Sequence, residues 1–464
     1  MASGAEAGPQ FVDISVNYLK NYILFRMISK EFQKRRQALM EQMEPDSLAI
    51  LFATPPSIRN RDVTYFYRPD SDFYYLTGFK EPEAVAILTP GHTKTEYTLF
   101  CRKRDEKKER WEGPITGPQE AIEHYGADAA FPINELDKRV PKLLERMQRV
   151  YYAVGSNPAL DQQMNTWLNN IRLKTRSGVQ GPKEIRLLDQ YLHEMRLKKS
   201  PTELATLRTA VTISAQAHRL VMQNCNPEMT EYSLEADFVH ECIRQKAKHQ
   251  AYSPIIAGGN NGCILHYEAN SGILKDGELV LIDAGCEYDY YAADITRTFP
   301  INGHFSPPQR ELYELVLEAQ TEVLKKVKPN TSWRTLQQTA IRTITKGLIE
   351  LKLLDGSTNT LSKLIKTKKY KKFYMHGIGH WLGLDVHDVG TYKIAKKWRA
   401  LEPGMCFTVE PGIYISPDTP DIDKRWHGIG IRIEDDVVVT DKGCEVLSYQ
   451  VPRTIDEIES LANS

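Results

Sequence analysis

The residues able to do chemistry gather in the second half of the 464-residue chain. The stretch LVLIDAGCEYDYYAADITRTF, residues 279–299, reads as two antiparallel strands. A turn near Cys286–Tyr290 would set Asp283 and Asp294 opposite each other. Cross-strand β-carbons lie about 4.5–5.5 Å apart. Two carboxylates that close repel, and burying them without a counter-charge is costly. Either a salt-bridge partner, with Arg297 nearby, or a metal ion would answer this.

The segment HGIGHWLGLDVHD, residues 376–388, adds three histidines, His376, His380 and His387. His376 and His380 have helical spacing, but Gly377, Gly379 and Gly383 make a helix poor here. The zinc-protease pattern HExxH fails, because glycine holds the position of the glutamate. TVEPGIYI places Glu410 in an apolar strand before a Pro-Gly turn, and IGIRIEDDVVVT places Glu434 in a β-patterned segment. Either glutamate alone could end a strand in water. Together Asp283, Asp294, His380, Glu410 and Glu434 make a ligand set for two metal ions, four carboxylates balancing two divalent cations. Oxygen-rich ligation with one imidazole suits Mn²⁺, Co²⁺ or Fe²⁺. Two such ions about 3.5–4 Å apart can share a water and ionise it near neutral pH.

These side chains need a scaffold. An α/β domain is expected over 27–197, in which SLAILFAT, AVAILTP, TEYTLFC and RVYYAVG read as strands between charged helices. The texture changes near 195. Ser200, Pro201 and Glu203 spell an N-cap, a first-turn proline and a capping box. A second domain, 198–464, then holds helices near 201–224, 231–249, 308–328 and 332–354. Its strands are expected at 263–267, 279–300, 374–388, 405–416 and 430–440. The lysine run KLIKTKKYKK, 363–372, reads as a solvated loop, and residues 1–26 as an extension outside the fold.

Composition narrows the partners. Sixty basic and sixty acidic residues cancel, so no field favours nucleic acid or an anionic membrane. Seven cysteines without a CxxC pair point to a reducing, cytoplasmic setting and away from a disulfide scaffold or zinc knuckle. No apolar run is long enough to span a bilayer, and the N-terminus lacks the pattern of a signal peptide.

From about Met27 onward the chain resembles the pita-bread metallopeptidases, and within them the aminopeptidase P branch. The motifs that carry this are SDFYYLTGF, GGNNGCILHY, LIDAGCEYDYYAADITRTFP, MHGIGHWLGLDVHDVG, TVEPGIYI and GIGIRIEDD. The resemblance implies an α/β (α+β) architecture, an N-terminal α/β domain of creatinase type before a pita-bread catalytic domain. It implies two Mn²⁺ on Asp283, Asp294, His380, Glu410 and Glu434, and release of the first residue from peptides with proline second. A hydroxide bridging the two ions would attack the scissile carbonyl, with Glu410 as general base. His266 and His387 would bind the substrate carbonyl and the tetrahedral intermediate, with His376 and Arg432 in support. Trp111 resembles a tryptophan that reaches a neighbouring subunit in tetrameric relatives, so a homotetramer or homodimer is expected. Xaa-Pro dipeptidase (prolidase) activity, or a non-catalytic peptide-binding module, are the alternatives on the same fold.

Overall fold

The computed structural model describes residues 30–463, so the expected extension at 1–26 lies outside the described residues. The chain divides into two compact units between Leu192 and His193. The first unit is a six-stranded mixed sheet. Its order is Ala129–Pro132, Tyr97–Cys101, Val85–Leu88, Ser47–Phe52, Arg149–Tyr152, Glu184–Leu187. The four strands expected from apolar runs are its centre. The two outer strands, AAFP and EIRL, are only four residues each and were not expected. Leu48, Ile50, Val85, Phe100 and Val150 from the sheet pack with Val140, Leu144, Met164 and Trp167 from the helices Leu136–Leu144 and Pro158–Arg172.

The second unit opens with the helix Pro201–Asn224. Its capping box is formed as the sequence implies: Ser200 Oγ accepts from Glu203 N–H, and Glu203 reaches back to Ser200 N–H. Helices Glu231–Arg244, Pro307–Leu324 and Trp333–Glu350 follow. The run 363–372 is exposed at every lysine, but it is helical, in Leu361–Lys366 and Lys369–Lys372, because Leu361 and Tyr370 are buried and anchor it.

Three expectations about strands change. Residues 263–267 form no strand; the ladder begins earlier, at Ile255–Gly258, and a 3₁₀ turn Gly259–Cys263 leads away from it. Residues 374–388 form no regular strand either. Their glycines let the backbone approach neighbours where a Cβ would collide: one on Gly379 would lie 1.9 Å from Thr408 O. The segment still runs along Cys406–Val409, with Thr408 N–H donating to His380 O and Glu410 N–H to Ile378 O. Lastly, 405–416 and 430–440 are each broken in the middle, at Glu410–Pro411 and Ile433–Glu434.

Among the described residues no helix is long and apolar enough to cross a membrane.

Candidate metal centre

Strand Leu279–Asp283 pairs with Thr296–Pro300, Asp283 facing Thr296. The turn falls at Asp289–Tyr290, both left-handed with φ of 48° and 69°. That is one residue beyond the expected centre. Asp294 therefore sits opposite Gly285, diagonal to Asp283 and not across from it. Gly285 is required there, since a Cβ would lie 1.8 Å from Ala293 O. A one-residue shift of the turn moves the pairing by two and keeps both aspartates on one face. They are drawn together by Tyr252, whose hydroxyl lies 2.6 Å from Asp283 Oδ1 and 2.6 Å from Asp294 Oδ1.

The glutamates come from a second pair. Val409 faces Asp435 and Gly412 faces Arg432, so one register runs through the gap and sets Glu410 opposite Glu434. In the gap Ile433 N–H still donates to Pro411 O, but the two glutamates bond elsewhere: Glu410 N–H to Ile378 O, Glu434 N–H to Thr296 O. The carbonyls released behind them, Val409 O and Ile433 O, both accept from the buried Gln320 Nε2 at 3.3 and 3.1 Å. Gln320 thus ties together the two breaks that carry the acids.

The five expected ligands converge at the floor of one cleft of about 270 Å³, which Tyr252, Leu265, His266, His376, His387 and Arg432 also line. Ligand atoms of Asp294, His380 and Glu434 lie within 4.8 Å of one another. His380 Nε2 is 3.2 Å from Asp294 Oδ2 and 3.6 Å from Glu410 Oε1. Its Nδ1 donates to Trp381 O at 3.0 Å, which fixes the ring with Nε2 toward the acids. Arg297 is not the counter-charge considered above; it pairs with Asp435 at 2.6 Å. Arg432 is, on one side only: Nη2 meets Asp283 Oδ2 at 2.5 Å, and Nη1 meets Tyr414 OH at 2.9 Å.

The electrostatics call for more positive charge. Burial pushes Glu410 up to about 7, His380 opposing and Asp294 adding to the rise. Burial and the neighbouring acids hold Glu434 well above the usual range. Asp283 is raised by burial too, against the pull of Arg432. Burial acts to lower His380, but its hydrogen bond to Asp294 and the adjacent carboxylates outweigh that and raise it to about 9. Without a cation the cluster keeps protons between its oxygens. An oxygen-rich pocket that retains protons for want of cations, with one imidazole locked toward it, fits divalent metal.

The remaining expected residues divide. His266 and His387 are exposed on the cleft wall, His387 edge-on to His380 with ring centroids 4.3 Å apart. His376 does not orient His380. Its Nδ1 donates to Gly377 O at 2.8 Å and its Nε2 accepts from Tyr414 OH at 2.9 Å. Burial, with Arg432, lowers it to about 4 and keeps it neutral. Trp111 belongs to the first unit, on helix Glu106–Glu112, and is 91% exposed. Sequence reasoning missed Tyr252 and Gln320, which lie outside the quoted motifs, and Thr296, Thr408 and Tyr414, which lie within them but are neither acids nor imidazoles. Thr296 Oγ1 donates to Glu434 Oε2 at 2.6 Å, and Thr408 Oγ1 to Glu410 Oε1 at 3.0 Å.

Asp388, beside His387, was also missed. Its side chain is 1% exposed and accepts from Arg196 at 2.6 Å and Lys199 at 2.8 Å, cations 3% and 1% exposed. Arg196 also meets Asp385 at 2.7 Å, so removing Asp388 strands chiefly Lys199, and stranding one partner of a buried pair costs about 3–5 kcal/mol. Asp388→Ala should lose stability on that scale in urea unfolding; a loss near zero would show the cations find other partners.

The comparisons agree with this geometry. The profile of Metallopeptidase family M24 matches residues 205–441, and that of the Aminopeptidase P, N-terminal domain matches residues 32–151. Xaa-Pro aminopeptidase of Escherichia coli (strain K12) is 45% identical over 433 residues, 93% of this chain and 97% of its own. Xaa-Pro aminopeptidase 3 of Homo sapiens is 34% identical, over 96% of this chain and 85% of its own. The structure of Pseudomonas aeruginosa aminopeptidase PepP superposes with a TM-score of 0.92 at 53% identity, covering 94% of this chain and 98% of that one. Zn-substituted E. coli aminopeptidase P in complex with product gives 0.91 at 45%, covering 94% and 98%. The chain belongs to metallopeptidase family M24, with an aminopeptidase P N-terminal domain ahead of a pita-bread catalytic domain.

Proposed function

We propose that the chain is a metal-dependent aminopeptidase that releases the N-terminal residue from peptides with proline in second position. The observation that carries this is the meeting of Asp283, Asp294, His380, Glu410 and Glu434 in one cleft, in a chain 45% identical to the E. coli Xaa-Pro aminopeptidase. These five residues would hold two divalent ions, and the oxygen-rich set favours Mn²⁺, with Co²⁺ or Fe²⁺ as alternatives. When bound, the ions supply Lewis acidity and a water ionised near neutral pH.

The chain's own groups do the rest. Glu410 is the base. Thr408 holds its Oε1, and Oε2 stays on the cleft side, 3.7 Å from His376 Nδ1. It takes a proton from the attacking water and returns it to the departing proline nitrogen. His266 and His387, on the open wall, donate to the substrate carbonyl and to the negative charge that develops on it. Arg432, Tyr414 and His376 form a run of donors ending on Gly377 O, so Arg432 positions Asp283 and the neutral His376 ring. Assembly as a homotetramer or homodimer, with the exposed Trp111 reaching a neighbour, and a cytoplasmic location belong to the same reading. Sedimentation equilibrium reads the assembly.

The test is a pair of substrates on Mn²⁺-loaded protein. Xaa-Pro-Yaa tripeptides should be cleaved to free Xaa. Turnover of Xaa-Pro dipeptides alone would make the chain a prolidase, and metal-loaded protein inert to both would make it a peptide-binding module.

A further inference from the structure

His266 stands on a segment with almost no ladder of its own. Between strand Ile255–Gly258 and Leu274 the chain makes the 3₁₀ turn Gly259–Cys263, runs irregularly, and forms a single bridge from Ile273 to Thr230. Ile264, His266 and Glu268 on it are exposed. Such a loop would wander unless something outside it fixed its ends and middle.

The loop's far end is held by backbone bonds, Glu231 N–H to Gly272 O and Leu274 N–H to Met229 O, and one carboxylate ties that end to the start and middle. Glu231, the first residue of helix Glu231–Arg244, is fully buried, and among the described residues the partners of its side chain include no cation. Oε1 accepts from Gly258 N–H at 2.8 Å and Asn261 Nδ2 at 2.9 Å. Oε2 accepts from Tyr267 OH at 2.8 Å and Gly272 N–H at 2.7 Å. The four donors come from the start, the turn, the neighbour of His266 and the end of the loop. The carboxylate lies against Gly272, where a Cβ would come 2.9 Å from Oε1; at Gly258 the close neighbour is Leu274, 2.8 Å from such a Cβ. One helical turn on, Glu235 accepts from Asn270 Nδ2 at 2.8 Å, and Asn270 also bonds Pro254 O and Ile256 N–H. The same helix face therefore grips the loop twice.

We propose that Glu231 is a positioning residue that holds His266 at the cleft wall by gathering the 258–272 loop around its buried carboxylate. The proposal rests on the reading of His266 as a substrate-binding group given above. Its logic is that Glu231 acts through His266, so the two should not add.

The experiment is a double-mutant cycle on Mn²⁺-loaded protein with a Xaa-Pro-Yaa peptide: wild type, Glu231→Gln, His266→Ala and the double variant. Glu231→Gln turns one acceptor into a donor that faces two donors. It should lower kcat/KM by about 10-fold or more in wild type but by under about 2-fold in the His266→Ala background. Bound Mn²⁺ per chain should stay at the wild-type value, because no expected ligand lies on the loop. Equal losses in both backgrounds, or lost metal, would overturn the proposal, since a general packing defect acts regardless of His266. If Glu231→Gln fails to fold, Tyr267→Phe removes a single donor from the same carboxylate and takes its place in the cycle, with the same outcomes supporting or overturning the clamp. If His266→Ala alone turns over at the wild-type rate, the reading of His266 falls. Amide exchange then decides the clamp: faster exchange confined to 258–272 in either clamp variant supports it, and unchanged exchange sinks it.

Discussion

Glu410→Gln should lose about 10³-fold or more in turnover while still binding metal and melting as a folded protein. The carboxylate oxygen that Thr408 holds becomes, in the variant, an amide oxygen with the same partner, so the strand break at Glu410–Pro411 has no reason to move. What disappears is the proton acceptor. Metal content by atomic absorption, beside turnover of a Xaa-Pro-Yaa peptide, checks this. Near-normal turnover with full metal would remove Glu410 from the base role; loss of both ions would make it chiefly a ligand.

The second large effect is the response to metal removal, which should grow with pH. In the metal-free chain Glu410 titrates near 7 against an ordinary 4.5. Between those values the folded state binds more protons than the unfolded state, so stability falls as pH rises. The penalty is absent below about 4.5 and complete above about 7, at about 3 kcal/mol for this one group. Glu434 and Asp283 are displaced the same way. His380 adds to the trend from the other side: raised to about 9, it stabilises below the ordinary 6.5, and that contribution is lost as pH passes through 9. Bound cations take the place of those protons and flatten the profile. Adding Mn²⁺ to chelated protein should thus raise the melting temperature more at pH 8 than at pH 5.5, with protons released on binding at neutral pH. Equal shifts at both pH values would mean that these acids are already ionised and paired without metal.

What the sequence showed and hid follows from the kind of signal each residue carries. Asp283, Asp294, Glu410 and Glu434 stand out because acids are costly inside apolar β-patterned runs, and such misfits are visible in a string of letters. The helix Pro201–Asn224 was legible to its first residue because its cap is local chemistry. Gln320, Glu231 and Tyr252 were not legible. Each is an unremarkable polar residue whose meaning lies in carbonyls, amides and carboxylates far along the chain, and only the fold brings these within 3.3 Å. The segment 374–388 misled for a related reason. Its apolar residues resemble a strand, whereas its glycines serve close backbone approach to Thr408 and neighbouring groups.

The unbroken register that seats Glu410 across from Glu434 also says where this chain can change length. Ladders on both sides of the gap fix the pairing, Val409 with Asp435 and Gly412 with Arg432. Residues added between Ile415 and Ile429 lengthen only the connection beyond the last rung, Ile415 with Ile429, and leave the acids where they are. A single residue inserted between Val409 and Glu410 would turn Glu410 to the opposite side of its strand relative to the Val409–Asp435 rung, away from the cleft. Deletion and insertion scanning along this hairpin should therefore find a tolerant tip joined to an intolerant waist two residues wide in each arm.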